Sequence, residues 1–242
     1  MADFAEQINP ATVSEIERSK TPETRFRPAV RVHRSFFAAM EAGALIWMAK
    51  RMPRWVNSDH LTVLGFVAQI STGICYALAA MNRRMLLGAT FCLVLNWFGD
   101  SLDGTLARVR QRQRPRYGFY VDHMIDSFGA VALMGGLACS GYMHPAIAIG
   151  LLVAFLLLSI QSYLATYTVG EFHLSFWKFG PTEIRVLLAI GNVVLLRWAW
   201  VIHGRYRLFD IGGMIGLAGM VLMLVVVSLR NTIRLYREER IG

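Results

Sequence analysis

The sequence predicts an all-α integral membrane protein, six transmembrane helices preceded by an interfacial amphipathic helix. Three observations predict it. Of 242 residues, 55% are hydrophobic and 17% charged, with a mean hydropathy of +0.43; a soluble domain carries about 25% charged residues. Six apolar runs can be drawn along the chain. A segment mixing aromatic and basic side chains stands just before the first of them.

Residues 1–33 are polar, contain Pro10, Pro22 and Pro28, and show no cleavable leader. They read as a cytoplasmic N-terminal segment. Residues 34–60 combine an interfacial helix with the approach to the first span. There Phe36, Phe37, Leu45, Ile46 and Trp47 mix with Arg34, Lys50 and Arg51. A functional surface helix and an ordinary juxtamembrane anchor both fit that pattern. Residues 61–230 form the membrane domain, with spans at 61–82, 85–99, 119–140, 145–169, 184–200 and 211–229. Arg197 interrupts the fifth. Gly212 and Gly216 form a small-xxx-small pair suited to close helix contact. Residues 231–242 are a basic cytoplasmic tail.

Orientation follows from the basic residues. With six spans both termini share one side, and 20 of the 25 Lys and Arg residues fall there. The positive-inside rule places that side, including the loop that holds Arg108, Arg110, Arg112, Arg114 and Arg116, in the cytoplasm. The net charge of +9 therefore flanks apolar runs. It points to anionic lipid head groups and a phosphate-bearing substrate, with no nucleic-acid partner. Cys75, Cys92 and Cys139 lie inside apolar runs without metal-ligand spacing and read as reduced.

Chemistry concentrates in residues 100–126. Asp100 and Asp103 are three apart, Asp122 and Asp126 four apart, and either spacing puts a pair on one helix face. Facing each other, the pairs make a four-carboxylate cluster at the cytoplasmic end of two spans. Such charge beside hydrocarbon is costly unless cations sit among the carboxylates. Oxygen-rich sites of this kind suit Mg²⁺ or Mn²⁺. Two ions about 3.5–4 Å apart clamp a diphosphate and stabilise its leaving oxygen. Gly104 and Ala107 let a bulky ligand approach the backbone, and Arg108 offers a forked contact to a phosphate. A harmless set of interfacial carboxylates paired with arginines is the plain alternative. Four of only 16 acidic residues at helical spacing, interleaved with Gly, Ala and Arg, argue against it.

The string Asp100-x-x-Asp103-Gly104-x-x-Ala107-Arg108, nine residues, then Gly118-x-x-x-Asp122-x-x-x-Asp126 resembles the signature of the CDP-alcohol phosphotransferases. The resemblance extends over residues 45–235. It implies a CDP-linked donor with its diphosphate on two divalent ions, attack by an acceptor hydroxyl on the β-phosphorus, and departure of CMP. It further implies that Asp100 and Asp122 each contact both ions. Asp103 would hold one, and Asp126 would hold the other and act as base. Gly104, Ala107, Arg108 and Gly118 would border the nucleotide, and the protein would be a homodimer. Ser58-Asp-His-Leu-Thr62 resembles the family's Pro-Asn-x-Leu-Thr, which adds Thr62 to the nucleotide side. Ser58 and Asp59 replace the Pro and Asn, and Asp59 reads as a helix cap.

Asp122-His-Met-Ile-Asp126-Ser resembles the Asp-His-Gly-Cys-Asp-Ser of choline and ethanolamine phosphotransferases, which marks His123 for proton transfer. Phe119 stands where those enzymes carry Glu, and Met124 where they carry Gly. The leading assignment is therefore phospholipid biosynthesis from CDP-diacylglycerol and a small polar alcohol. CDP-choline or CDP-ethanolamine with diacylglycerol or another lipid alcohol is the alternative. A cation transporter is the rival from another class. It leaves Gly104, Ala107, Arg108 and Gly118 without a role. Glu171, His173, Lys178 and Arg185 share the cytoplasmic side, but no spacing gives them one.

Overall fold

In a computed structural model of the chain, the structure describes residues 38–169, 181–198, 200–201 and 206–240. The expectations for residues 1–33, the start of the surface helix, and Glu171, His173 and Lys178 lie outside them. The described chain is helical apart from one two-residue ladder.

Helix α1 (Ala38–Arg51) buries Leu45 and Ala49 while Ile46 and Trp47 stay exposed. A turn held by Arg110, which donates to the carbonyls of Met52 (3.0 Å), Pro53 (2.8 Å) and Val56, leads on to α2 (Ser58–Ala79). Asn57 is the N-cap, and its N–H donates to His60 Nδ1 at 3.2 Å. Asp59 is thus not the cap. It lies in the first turn, near the positive end of the helix dipole, and pairs with Arg114.

Helix α3 (Met85–Val109) continues ten residues past the apolar stretch that ends at Gly99, so both its aspartates are helical. It ends where Gln111 adopts a left-handed backbone (φ 53°) and Arg112 N–H reaches Ala107 O at 2.9 Å. Helix α4 (Pro115–Cys139) opens on a proline, whose missing N–H costs nothing at that position. Helix α5 (Pro145–Thr168) follows a turn through Gly141 (φ 75°).

Helix α6 (Pro181–Leu195) ends before Arg197. The pair β1 (Trp200–Val201) and β2 (Tyr206–Arg207) is antiparallel, a departure from the purely helical expectation. Helix α7 (Leu208–Glu238) then runs 31 residues. Among the described residues four helices, α2, α3, α5 and α7, are long and apolar enough to cross a membrane. The chain is a multi-pass membrane protein.

Packing centres on α2, against which both α3 and α4 lie. Glycines set these crossings. A Cβ on Gly99 would sit 2.6 Å from Leu61 O and from Gly65 N, and one on Gly136 would meet Gly73 O. Only glycine permits that approach, as in close helix pairs of membrane proteins generally. On α7 Gly213 packs most tightly, a Cβ there falling 2.7 Å from Ile147; Gly216 also meets α5, with Leu151 at 3.6 Å, while Gly212 faces open space. Of the expected Gly212/Gly216 pair, the contact with α5 therefore keeps Gly216 and replaces Gly212 with Gly213.

Candidate metal centre and active site

Because α3 and α4 both lean on α2, their aspartates meet across the space between them. Asp100 on α3 and Asp122 and Asp126 on α4 each offer a carboxylate oxygen, all within 4.8 Å of one another. Asp100 and Asp122 are half-buried, and Asp126 is the more exposed of the three. Asp103, one turn along α3, stands beside this group. Its Oδ2 lies 2.6 Å from Thr62 Oγ1, its other oxygen accepts from Gly104 N–H, and Ser58 Oγ donates to its carbonyl at 3.0 Å. Thr62 and Ser58 thus tie the first turns of α2 to the motif and hold Asp103's carboxylate in place.

Arg185, on α6, donates to Asp100 Oδ2 at 2.6 Å. Sequence spacing gave this arginine no role, because it approaches from 85 residues away. Arg108 folds over its own helix instead. Its Nη2 reaches Thr105 Oγ1 at 2.9 Å, and its Nη1 lies 3.4 Å from where a Cβ on Gly104 would stand. Ala107 is half-buried on the same helix. Gly118 is exposed at the start of α4, with open space where a side chain would be.

His123 turns inward. It is buried, stacks on Phe119 at 4.2 Å, and meets the edge of Tyr163 at 5.1 Å. Its Nδ1 lies 2.6 Å from Phe119 O and 3.8 Å from Asp122 Oδ2. The ring is held beside Asp122, one residue behind the carboxylate cluster.

The donor set is all oxygen, it converges from two helices, and it concentrates negative charge. Those features fit a hard divalent cation and not a thiolate- or imidazole-seeking one. Residues 55–229 match the sequence model of a family described as CDP-alcohol phosphatidyltransferase. No curated protein matches the chain.

Proposed function

The chain belongs to the CDP-alcohol phosphatidyltransferase family, and from that premise we propose how its own residues carry out the transfer. The family is one of membrane transferases that use divalent metals to move a phosphorus-containing group from a CDP-alcohol to an alcohol in lipid synthesis. The convergence of Asp100, Asp122 and Asp126 carries our reading.

In that reading Asp100, Asp103, Asp122 and Asp126 hold two Mg²⁺ or Mn²⁺ ions. Held there, such ions would supply positive charge to the diphosphate and to its departing oxygen. Asp126, the most open of the cluster, takes the proton from the acceptor hydroxyl. The acceptor oxygen bonds to the β-phosphorus, the bond from that phosphorus to the bridging oxygen breaks, and CMP leaves with the oxygen. Thr62 fixes Asp103, while Gly104, Ala107 and Gly118 leave the donor's nucleotide room along α3 and at the start of α4. Arg108 lies beside Gly104, within reach of the same phosphates. His123 acts as a positioning residue for Asp122, its buried ring favouring support over contact with substrate.

The donor is CDP-diacylglycerol and the acceptor a small polar alcohol. Helices α4 and α6 complete six spans with α2, α3, α5 and α7, and α1 lies on the cytoplasmic surface with Trp47 in the interface. The membrane domain occupies 61–230, both termini and the site face the cytoplasm, and the protein works as a homodimer.

The test is to offer the purified protein CDP-diacylglycerol, CDP-choline or CDP-ethanolamine with candidate alcohols and Mg²⁺, and to measure CMP. Metal-dependent CMP from CDP-diacylglycerol alone supports the assignment. CMP from the amino-alcohol donors transfers it to the alternative. Metal flux into liposomes without CMP from any donor contradicts it.

A further inference from the structure

Glu41 is the acidic residue in the first turn of α1, outside the aspartate motif. It is half-buried, with its carboxylate turned to the bundle. Its Oε1 accepts from Trp97 Nε1 at 2.7 Å and from Ser101 Oγ at 3.1 Å, both on α3. Thr182 Oγ1, on α6, lies 3.3 and 3.4 Å from its two oxygens. One carboxylate therefore joins three helices that are distant in sequence.

Its neighbours give that junction a purpose. Ser101 adjoins Asp100, and Trp97 lies one turn earlier on the same helix. Thr182 and Arg185 are three apart on α6, so they share a face. Arg185 is the group that holds Asp100, at 2.6 Å. Glu41 thus bonds to residues flanking both partners of that ion pair. The bond from Trp97 is the short one, and the contacts from Ser101 and Thr182 are longer, so the junction rests on several bonds together. On its buried side α1 also packs Leu45 and Ala49 with Leu102 and Leu106 of α3, so the helix lies against the motif itself.

We infer that Glu41 is a positioning residue for the active site: by locking α6 against α3 it places Arg185 on Asp100. The surface helix then sets the geometry of the carboxylate cluster from outside it. Arg185 in turn competes with any cation that approaches Asp100 and orients the carboxylate that such a cation meets. This inference rests on the metal-dependent reading of the cluster.

A double-mutant cycle tests it, with Mn²⁺ binding to the detergent-solubilised full chain, followed by electron paramagnetic resonance, as a readout that needs no turnover. Arg185→Gln tightens Mn²⁺ binding by about three- to tenfold, since a competing cation is gone. Glu41→Ala moves it the same way, and the double variant binds no tighter than Arg185→Gln alone. In CMP release both single variants lower kcat/KM, and the double loses no more than the worse of them. Glu41→Gln, which keeps an acceptor for Trp97 and Ser101, stays within about threefold of wild type in both readouts. Trp97→Phe, removing one donor at similar volume, falls between and covers the case in which Glu41→Ala does not fold.

Effects that multiply in the double variant overturn the inference. So does a Glu41→Ala protein that loses thermal stability while binding Mn²⁺ as wild type does. A wild-type chain that releases no CMP from any donor defeats the transferase reading but leaves the Mn²⁺ cycle to decide on Glu41.

Discussion

Helix α6 is fastened to the bundle at both ends, and the two fastenings are of opposite kinds. Toward its C-terminus, Asn192 accepts from Tyr76 OH at 3.0 Å and donates to Thr90 Oγ1 at 3.1 Å. Tyr76 and Asn192 are completely buried, and Arg83 closes the end by donating to Leu195 O. Donors and acceptors match there, so nothing further is required of that end. Toward its N-terminus, Arg185 and Thr182 meet carboxylates, and the cluster they touch has more negative charge than Arg185 can neutralise. Carboxylates held this close repel one another unless positive charge offsets them. In the proposed reading, the matched end holds the fold and the unmatched end the chemistry.

The largest effect that would break this division is at the aspartates. Asp122→Ala is expected to lower transfer by roughly a thousandfold or more, since the diphosphate loses the ions that neutralise it. Its thermal midpoint in detergent should stay close to wild type, because removing one of several repelling carboxylates relieves as much as it costs. A collapse of stability in this variant would make the cluster structural.

Next come the glycine crossings that bring α3 and α4 to the site. Gly136→Leu forces a side chain onto Gly73 O and is expected to cost about 3 kcal/mol or more, read as loss of folded protein. Gly135→Leu, with open space at the same depth of α4, is the control and should be close to silent.

Asn192→Leu tests the matched end. It leaves Tyr76 OH without its acceptor and should destabilise by about 1–2 kcal/mol. Activity per folded molecule should remain within about twofold. A selective loss of activity would mean that the two ends are not separate.

The smallest effect concerns the arginine loop. Arg110→Ala removes the donors to Met52, Pro53 and Val56 and should cost about 1 kcal/mol, seen as a lower midpoint. Arg112→Ala should change stability by less than about 0.5 kcal/mol.

These contrasts mirror what was legible in the chain. The aspartates were readable because helical periodicity alone brings Asp100 near Asp103 and Asp122 near Asp126. The spans at α2, α3, α5 and α7 were readable because apolar length reports directly on a membrane's thickness. What escaped depends on partners distant in sequence. Arg185, Glu41 and Asn192 gain meaning only when α6 folds against α3, and no local spacing announces that. Gly99 and Gly136 look like any of the 21 glycines until α2 lies across them. Spacing selects Gly212 and Gly216, whereas the contact with α5 takes Gly213 and Gly216. Apart from Arg108, the arginine run reads from the sequence as one positive loop. The structure separates it, Arg110 bracing the turn after α1, Arg114 meeting Asp59, and Arg108 lying over Gly104.

The most direct test of the central claim is CMP release per folded molecule in lipid nanodiscs, with Mg²⁺ titrated and wild type compared with Asp126→Asn. The account predicts CMP formed one for one with the lipid product, absent without divalent metal, and lost by at least about a hundredfold in the variant. CMP release that persists with a chelator present, or that the variant leaves unchanged, would contradict it.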